Sequence, residues 1–287
     1  MNAVHAGRYP VGKVKVAMGQ MLVEGGNIPA NIRRAEQMIA DSGKTGSDII
    51  VLPECIDLGW TYPDACNLAE PVPGTVSDSL CEAAVQSGMH VVAGLTEKEG
   101  THIYNTALLI SSRGEILGKH RKINILDIAQ DIYSTGTSLS VIETQLGKIG
   151  VDICADNFPD TYAIGHTLAR MGADIILSPC SWAIPPDYSG NPNPCWMWEK
   201  SFTRLACLFN IPVVGVSNVG IISAGVWKDY HCIGNSLAVS GEGIIVKKGE
   251  RTSSDQSLFT VEFDLAGEKP RGTDISLMLK EKGFSFS

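Results

Sequence analysis

A cysteine occupies the segment with the clearest chemical pattern in this sequence. The run Ile149–Ile153 is typical of a strand and ends at Cys154. A turn containing Asn157 follows, and a helical pattern then runs from Asp160 to Gly172. Main-chain N–H groups at the start of a helix favour a thiolate and can bind an oxyanion. The pattern indicates either a nucleophile or a buried structural thiol.

Two further reactive side chains follow predicted strands. Glu54 comes after the apolar run Asp48–Pro53, and Lys122 follows the strand of a predicted hairpin. Strand ends at one edge of a sheet assemble sites from distant sequence. A carboxylate can take the proton of a thiol, and an ammonium group can stabilise a thiolate and an oxyanion. Singly, Glu54 fits a surface carboxylate and Lys122 a solvated basic run, so the hypothesis depends on their combination with Cys154.

The chain that must position these residues alternates predicted strands and helices. Strands are predicted over residues 14–19, 48–53, 89–95, 103–111, 115–119, 149–153, 173–178, 211–217, 236–240, 243–247 and 257–263. Helices are predicted over residues 27–42, 76–87, 160–171 and 195–210. Crossovers mixed with hairpins, and helices in two sets, predict an α/β protein in which one sheet packs against another.

Length and charge narrow the class of protein. A chain of 287 residues suits one large α/β domain, and a formal net charge of −8 argues against nucleic acid or an anionic membrane as the main partner. No apolar run is long enough to span a bilayer. We expect a short extension over residues 1–10, one domain over 11–265 and a polar tail over 266–287. The first ten residues lack the apolar stretch of a secretory signal.

The eight cysteines predict reduced thiols rather than a disulfide framework. They are spaced irregularly, at positions 55, 66, 81, 154, 180, 195, 207 and 232. A long chain without a signal peptide favours a cytoplasmic location, where thiols stay reduced. The sequence has no C-x-x-C or H-x-x-x-H spacing, so it gives no support for a metal site.

Three segments in order carry a resemblance to a known family. Leu52–Glu54, Tyr104–Ala107 followed by His120–Lys122, and Ile153–Pro159 are similar to the signature segments of the nitrilase (carbon–nitrogen hydrolase) superfamily. The resemblance extends over nearly the whole chain. It implies a four-layer α-β-β-α sandwich, a Glu–Lys–Cys triad, and neither a metal nor an organic cofactor.

The resemblance also implies a role for each matching residue. Cys154 would be the nucleophile and Glu54 the general base, while Lys122 and the main-chain N–H of Ala155 would hold the oxyanion. The implied substrate is a small molecule of the amide type. Members of the superfamily generally pair through helices beside the site, so a homodimer or a higher homo-oligomer is expected.

One position departs from the family pattern. Many members carry a second glutamate between the lysine and the cysteine, whereas the corresponding stretch here, Ala129–Tyr133, contains none. Asp131 or Gln130 is the candidate replacement, and Asp131 is therefore a candidate substrate-binding residue.

The remaining candidates for the substrate pocket are Trp60, Ser181 and Trp182. Trp60 lies in the loop after Glu54, while Ser181 and Trp182 follow a buried strand. Ordinary aromatic packing is the alternative for both tryptophans. Asp156 and Asn157 are assigned to the turn itself, because Asp and Asn favour such geometry.

The leading function is hydrolysis of a small linear amide through a thioester on Cys154, which releases ammonia or an amine and a carboxylic acid. An N-carbamoyl compound or a nitrile, processed by the same three residues, is the alternative. A non-catalytic relative that binds or scaffolds is a third hypothesis, kept open by the missing second glutamate.

Overall fold

All the strands and helices that the sequence predicts are found in a computed structural model, which describes residues 12–190 and 193–265 together with Gly283. The α-helices are α1 (Ile28–Lys44), α2 (Ala65–Leu68), α3 (Thr75–Ser87), α4 (Tyr162–Arg170) and α5 (Trp196–Phe209). The strands are β1 (Lys13–Gln20), β2 (Ile49–Val51), β3 (His90–Glu99), β4 (His102–Ile110), β5 (Ile116–Arg121), β6 (Val141–Thr144), β7 (Gly147–Val151), β8 (Ile175–Cys180), β9 (Ala183–Ile184), β10 (Val213–Ser217), β11 (Val219–Ile221), β12 (His231–Ile233), β13 (Leu237–Val239), β14 (Ile245–Lys248) and β15 (Ser257–Asp264). Short 3-10 helices cover Asp127–Ala129 and Cys154–Asn157.

The first sheet has six strands in the order β15-β1-β2-β3-β4-β5. Strands β1, β2 and β3 are parallel, and β4 and β5 extend the sheet as an antiparallel hairpin. Strand β15 returns along β1, with Lys13 opposite Asp264 and Gln20 opposite Ser257. The first and last strands of the described residues are therefore neighbours in the same sheet.

The second sheet also has six strands, in the order β14-β13-β10-β8-β7-β6. Its central strands β7, β8 and β10 are parallel. Strands β2 and β7 are both parallel strands in the interior of their sheets. The segments that follow them therefore start inside the sheet and not at its edge strands. Glu54 follows β2, Lys122 follows β5, and Cys154 follows β7.

The two sheets pack face to face around one apolar core. Alternate residues of β1, namely Val14, Val16 and Met18, share this core with Ile149 and Val151 of β7. Side chains in a strand point alternately to its two faces, so the other face of β1 must be covered by something else. A helical layer covers that face, so β1 is buried on both sides.

Helices form the two outer layers. Ile32, Ala35 and Ile39 of α1 pack with residues of α3 and the first sheet in a second core. These residues mark the helical face that the sequence predicts. On the other side, Leu168 of α4 and Phe202 of α5 pack against the second sheet. The structure is therefore the expected four-layer α-β-β-α sandwich, and the predicted fold class is confirmed.

Some elements were not predicted from the sequence. Strand β6 pairs with β7 at the edge of the second sheet, and β11, β12 and β9 form a small separate sheet. These strands are short or partly exposed, so they lack the apolar alternation that marks the others.

Two predictions about the chain's organisation concern its ends. The proposed extension at 1–10 lies outside the described residues, as does the proposed tail at 266–287 apart from Gly283. Within the described part of the chain, no helix is both long enough and apolar enough to cross a membrane.

Candidate active site

A buried ion pair joins two of the three residues that the sequence singles out. Lys122 Nζ lies 2.6 Å from Glu54 Oε1, and the two side chains are 2% and 1% exposed. The Glu54 N–H donates to the carbonyl of Cys180, and the Lys122 N–H donates to the carbonyl of Asn105. The ion pair thus joins residues held to different sheets, since Cys180 belongs to β8 and Asn105 to β4.

A glycine in the neighbouring strand lets the Glu54 backbone approach. A Cβ atom at Gly94 in β3 would lie 2.6 Å from the Glu54 Cα and 2.9 Å from the Pro53 carbonyl oxygen. Distances this short between heavy atoms are repulsive, so any larger residue at Gly94 would push the Glu54 segment away. The Gly94 N–H also donates to the Pro53 carbonyl at 2.9 Å, which fixes the approach.

Cys154 begins a single 3-10 turn, residues 154–157, which we call the Cys154 turn. Its φ of +46° is in the left-handed region, which is uncommon for a residue with a Cβ and is found mostly where surrounding contacts impose it. The Cys154 N–H donates to Ser178 Oγ at 3.2 Å. Cys154 is 5% exposed, so this residue is buried rather than on the surface.

The relationship of Cys154 to the following helix differs from the sequence prediction. Helix α4 begins only at Tyr162, so the N–H groups nearest the cysteine belong to the Cys154 turn and not to a long helix. Phe158 and Pro159 separate the two, because a proline restricts the residue before it to extended backbone. Phe158 indeed has a ψ of 161°.

The pKa of Lys122 depends on both of the other candidate residues. Burial alone lowers the pKa of Lys122, but the negative charges of Glu54 and then Cys154 outweigh it and raise the pKa above its ordinary value. Cys232 gives a second indication: burial, with contributions from the charges of Glu54 and Cys154, raises its pKa to about 11. The structure therefore brings Glu54, Lys122 and Cys154 into one buried electrostatic cluster.

Asn105, which sequence reasoning did not single out as a site residue, completes the environment of the carboxylate. Its Nδ2 donates to Glu54 Oε1 at 2.5 Å, so one oxygen of Glu54 accepts from both Asn105 and Lys122. The other oxygen, Oε2, is buried and has no hydrogen-bond partner among the described residues. Leaving such an acceptor unpaired is unfavourable by about 1–3 kcal/mol.

The two predicted tryptophans are both buried and have different neighbours. Trp60 is buried, and its ring centroid lies 5.8 Å from Lys122 Nζ. Trp182 is also buried and packs edge-on against Phe158, at 5.7 Å between centroids, and against Trp198 at 4.7 Å. Trp60 therefore borders the lysine, while Trp182 borders the residue that follows the Cys154 turn.

Ser181 and Ala155, the other predicted contacts, are also buried. Ser181 Oγ lies 3.6 Å from the sulfur of Cys232, the thiol whose pKa is raised by burial and by the charges of Glu54 and Cys154. The carbonyl of Ala155 accepts from Asn124 Nδ2 at 2.6 Å and from Thr161 Oγ1 at 2.8 Å. These bonds fix the backbone of the Cys154 turn next to the sulfur.

Asp131 is not brought into the cluster. Asp131 and Gln130 are both exposed, just after the 3-10 helix Asp127–Ala129, whereas the ion pair is buried. Ala129 and Tyr133 are the buried residues of this stretch, and the Tyr133 hydroxyl accepts from the N–H of Thr61 at 3.1 Å and lies 3.6 Å from Cys55 Sγ. The large aromatic ring of Tyr133 was the available signal in the sequence.

A second thiol lies beside the candidate nucleophile. Burial, followed by a hydrogen bond with Cys154 and the charge of Cys154, raises the pKa of Cys180 well above its usual value. Its Sγ also donates to the Ser178 carbonyl at 3.2 Å. Cys180 is therefore a protonated neighbour of Cys154 near neutral pH.

The described part of the chain contains no group of three or more His, Cys, Asp and Glu side chains arranged to hold a metal ion. The Glu54 carboxylate is instead paired with Lys122 and Asn105.

Comparison with known proteins identifies the family of this chain. The carbon-nitrogen hydrolase family model matches residues 15–271, which includes every residue of the cluster. The chain belongs to this family. The resemblance of the three sequence segments to the nitrilase superfamily is thereby confirmed, and so is the assignment as a carbon–nitrogen hydrolase.

Relatives within the family match this carbon–nitrogen hydrolase over most of their length. A nitrilase of Pyrococcus abyssi is 28% identical, over 94% of this chain and 97% of its own. An omega-amidase of Xenopus tropicalis is 31% identical, over 82% of this chain and 83% of its own. A solved carbon–nitrogen hydrolase from Helicobacter pylori superimposes with a TM-score of 0.77 at 19% identity, over 89% of this chain and 90% of its own, and so shares the fold.

Proposed function

We propose that this carbon–nitrogen hydrolase cleaves a small linear carboxamide through a thioester on Cys154. The sulfur attacks the amide carbonyl, and Glu54 passes the thiol proton to the departing amine. This step forms the C–S bond, breaks the C–N bond and releases ammonia or an amine. Water, activated by Glu54, then hydrolyses the thioester to a carboxylic acid and restores the thiol.

The observation that carries the proposal is the buried contact between Lys122 and Glu54 within reach of the Cys154 charge. A lysine whose pKa is raised remains an ammonium group, so Lys122 suits an oxyanion contact and not a base. The Ala155 N–H is the second proposed donor to that oxyanion. The other Glu54 oxygen, Oε2, has no hydrogen-bond partner in the described part of the chain, which suits the transfer of a proton.

The proposed substrate is small because Cys154 is buried and aromatic residues lie beside Lys122 and beside the Cys154 turn. Trp60 borders Lys122, and Trp182 packs on Phe158 after the Cys154 turn. Aromatic walls of this kind suit a compact, largely uncharged acyl group. The similarity to an omega-amidase over most of the chain supports an amide as the class to test first.

A nitrile or an N-carbamoyl compound is the second candidate. The Pyrococcus abyssi relative, which matches 94% of this chain, is named a nitrilase, and the same thiol can add to a nitrile carbon. Cleavage of an N-carbamoyl compound would release carbon dioxide together with ammonia. The products therefore separate the candidates.

The test is a panel of short amides, N-carbamoyl compounds and nitriles, with ammonia and carbon dioxide measured for each and the Cys154→Ala variant as the blank. We expect ammonia from at least one short amide and none from the variant. Activity that survives in Cys154→Ala would overturn the mechanism. Turnover of nitriles alone would move the proposal to the second candidate.

A non-catalytic relative is tested by the reactivity of the thiol. Iodoacetamide should alkylate Cys154 faster than the buried thiols Cys180 and Cys232, with each site followed by peptide mass spectrometry in a background where the exposed Cys66 and Cys207 are serine. If Cys154 is alkylated no faster than Cys232, it is not an activated nucleophile and the proposed function fails.

The expected homo-oligomer forms part of the same proposal. Helices α4 and α5 lie in one outer layer, and Met171, Trp196 and Leu208 are each about half exposed there. Exposed large apolar side chains favour contact with a partner. Light scattering coupled to gel filtration should give at least a dimer, and Leu208→Glu should shift the protein towards the monomer.

A further inference from the structure

Asp156 is a fully buried carboxylate that bonds to residues on both sides of Lys122. Its Oδ2 lies 2.8 Å from His120 Nε2. Its Oδ1 accepts from the N–H groups of Ile123 at 3.2 Å and Asn124 at 2.8 Å. The two residues after the lysine, and one residue before it, are therefore tied to a single side chain.

The same carboxylate is tied to the backbone around Cys154. Asp156 lies two residues after the cysteine, and its Oδ2 accepts from the N–H of Ile153 at 3.1 Å. A further bond runs between the same two segments, from Asn124 Nδ2 to the carbonyl of Ala155 at 2.6 Å. His120 belongs to β5 of the first sheet, while the Cys154 turn follows β7 of the second, so these bonds cross from one sheet to the other.

We propose that Asp156, with His120 as its side-chain partner, is a positioning residue that fixes the Lys122 ammonium relative to the Cys154 sulfur. The inference rests on the proposed function, in which both groups act on one carbonyl carbon. A carboxylate that served only the turn would need only the bond to Ile153. Three of its four bonds instead go to the segment that carries Lys122.

The physical reason is rigidity. The Lys122 side chain is long and rotatable, so its backbone must be fixed if the ammonium is to meet an oxyanion within hydrogen-bond distance. Displacement of a reacting group by about 1 Å can lower a rate about 10²-fold. A buried acceptor with four donors cannot shift without leaving some of them unpaired, which makes the link stiff.

Strand β5 supplies a matched control. Side chains alternate along a strand, and Arg121 points to the opposite face from His120 and Lys122. There it forms ion pairs with Glu97 at 2.8 Å and Glu99 at 2.7 Å. Arg121→Gln therefore breaks polar contacts next to the lysine in sequence without touching the link to the Cys154 turn.

The experiment compares Asp156→Asn and Arg121→Gln with the wild-type chain. Three quantities are measured: kcat and KM on the best amide of the panel, the rate of Cys154 alkylation by iodoacetamide, and thermal stability by circular dichroism. For Asp156→Asn we expect kcat to fall about 10²-fold with KM changed by less than about threefold, and alkylation to slow about tenfold. Arg121→Gln should change stability alone.

A second pair of variants decides the matter if Asp156→Asn does not fold. His120→Gln keeps an N–H donor for the carboxylate, whereas His120→Leu removes it. The proposal expects kcat and the alkylation rate to fall in His120→Leu and to recover at least in part in His120→Gln. Equal behaviour of the two variants would overturn it.

Failure of this inference can be told apart from failure of the proposed function. If wild-type Cys154 is not alkylated selectively, the proposed function fails. If wild-type Cys154 is selective but Asp156→Asn loses only stability, with kcat per folded molecule and alkylation as in Arg121→Gln, the carboxylate is structural and the positioning inference alone is wrong.

Discussion

Asn105 and Lys122 share one acceptor: Glu54 Oε1 lies 2.5 Å from Asn105 Nδ2 and 2.6 Å from Lys122 Nζ. Both donors act on the same oxygen, so the carboxylate is held with its second oxygen free of partners among the described residues. The Asn105 carbonyl also accepts the Lys122 N–H at 2.8 Å. One asparagine in β4 thus orients the proposed base and fixes the backbone of the proposed oxyanion donor.

Replacing Asn105 by alanine should therefore lower kcat more than it lowers stability. The Glu54 carboxylate would lose one of two donors and rotate more freely, so we expect kcat to fall at least about tenfold. Asn31→Ala is the matched control, since Asn31 is an equally buried asparagine whose Nδ2 donates to the carbonyls of Glu24 and Asp57. Steady-state kinetics and urea unfolding are measured on both. Equal losses of kcat in the two variants would contradict a specific role for Asn105.

Removing the lysine charge should affect activity and stability together. Lys122→Gln takes away an oxyanion contact, which typically lowers kcat about 10²–10³-fold. It also leaves Glu54 as a buried charge without its cation, and breaking such a pair is typically destabilising by about 3–5 kcal/mol.

The double variant Glu54→Gln/Lys122→Gln separates these two effects. Because it removes both charges, it should recover much of the stability lost in Lys122→Gln while remaining inactive. Urea unfolding and ammonia release measure the two quantities. A double variant that is less stable than Lys122→Gln would show that the pair is not the electrostatic unit described above.

The basic run at 119–122 illustrates what a sequence pattern can and cannot give. From the sequence, this run alone fits a solvated basic segment. In the structure its side chains alternate as those of a strand do: Lys119 and Arg121 pair with Glu97, while His120 and Lys122 are buried. The identity of Glu97 as partner could not be read from the sequence, because it depends on the register of β4 and β5 against β3.

The contacts inside the site were the least predictable part. Strand ends located Glu54, Lys122 and Cys154, because parallel strands bring their ends together whatever the side chains are. The bonds of Asp156 to Ile123 and Asn124 join residues that are 33 and 32 positions apart in the chain. From the sequence, Asp156 could be interpreted only as a turn residue.

A buried carboxyl beside the Cys154 turn makes stability depend on pH. Burial, followed by the charge of Asp156, raises the pKa of Asp152 from 3.8 to about 7. The folded protein therefore holds a proton that the unfolded chain releases, and folding takes up that proton between pH about 4 and about 7. The contribution of Asp152 to stability must then fall as the pH rises through this window.

The variant Asp152→Asn carries no titrating group, so its stability relative to wild type should improve between pH about 5 and about 8. The measurement is the free energy of unfolding in urea at both pH values. Asp41→Asn is the control: hydrogen bonds from Lys44 and then Gln37 lower the pKa of the exposed Asp41, so its titration falls below this window. A stability difference for Asp152→Asn that is the same at both pH values would contradict the raised pKa.

Tyr133 is a buried residue of the stretch in which Asp131 was expected to contact substrate. Its hydroxyl accepts the N–H of Thr61, a buried residue with a φ of +61°, and thereby holds the loop beside Trp60. The Trp60 ring in turn lies 5.8 Å from Lys122 Nζ. The Tyr133 hydroxyl thus helps to fix one wall of the proposed pocket.

Removing that hydroxyl should change substrate binding more than chemistry. Tyr133→Phe leaves the Thr61 N–H buried without its acceptor, which is destabilising by about 1–3 kcal/mol and lets the loop with Trp60 move. We expect KM for the best amide to rise about three- to tenfold with kcat changed less. Tyr230→Phe is the control, because Tyr230 stacks on Trp227 at 4.9 Å in the same apolar cluster. If both variants keep the wild-type KM and stability, the Tyr133 hydroxyl does not hold the Trp60 wall.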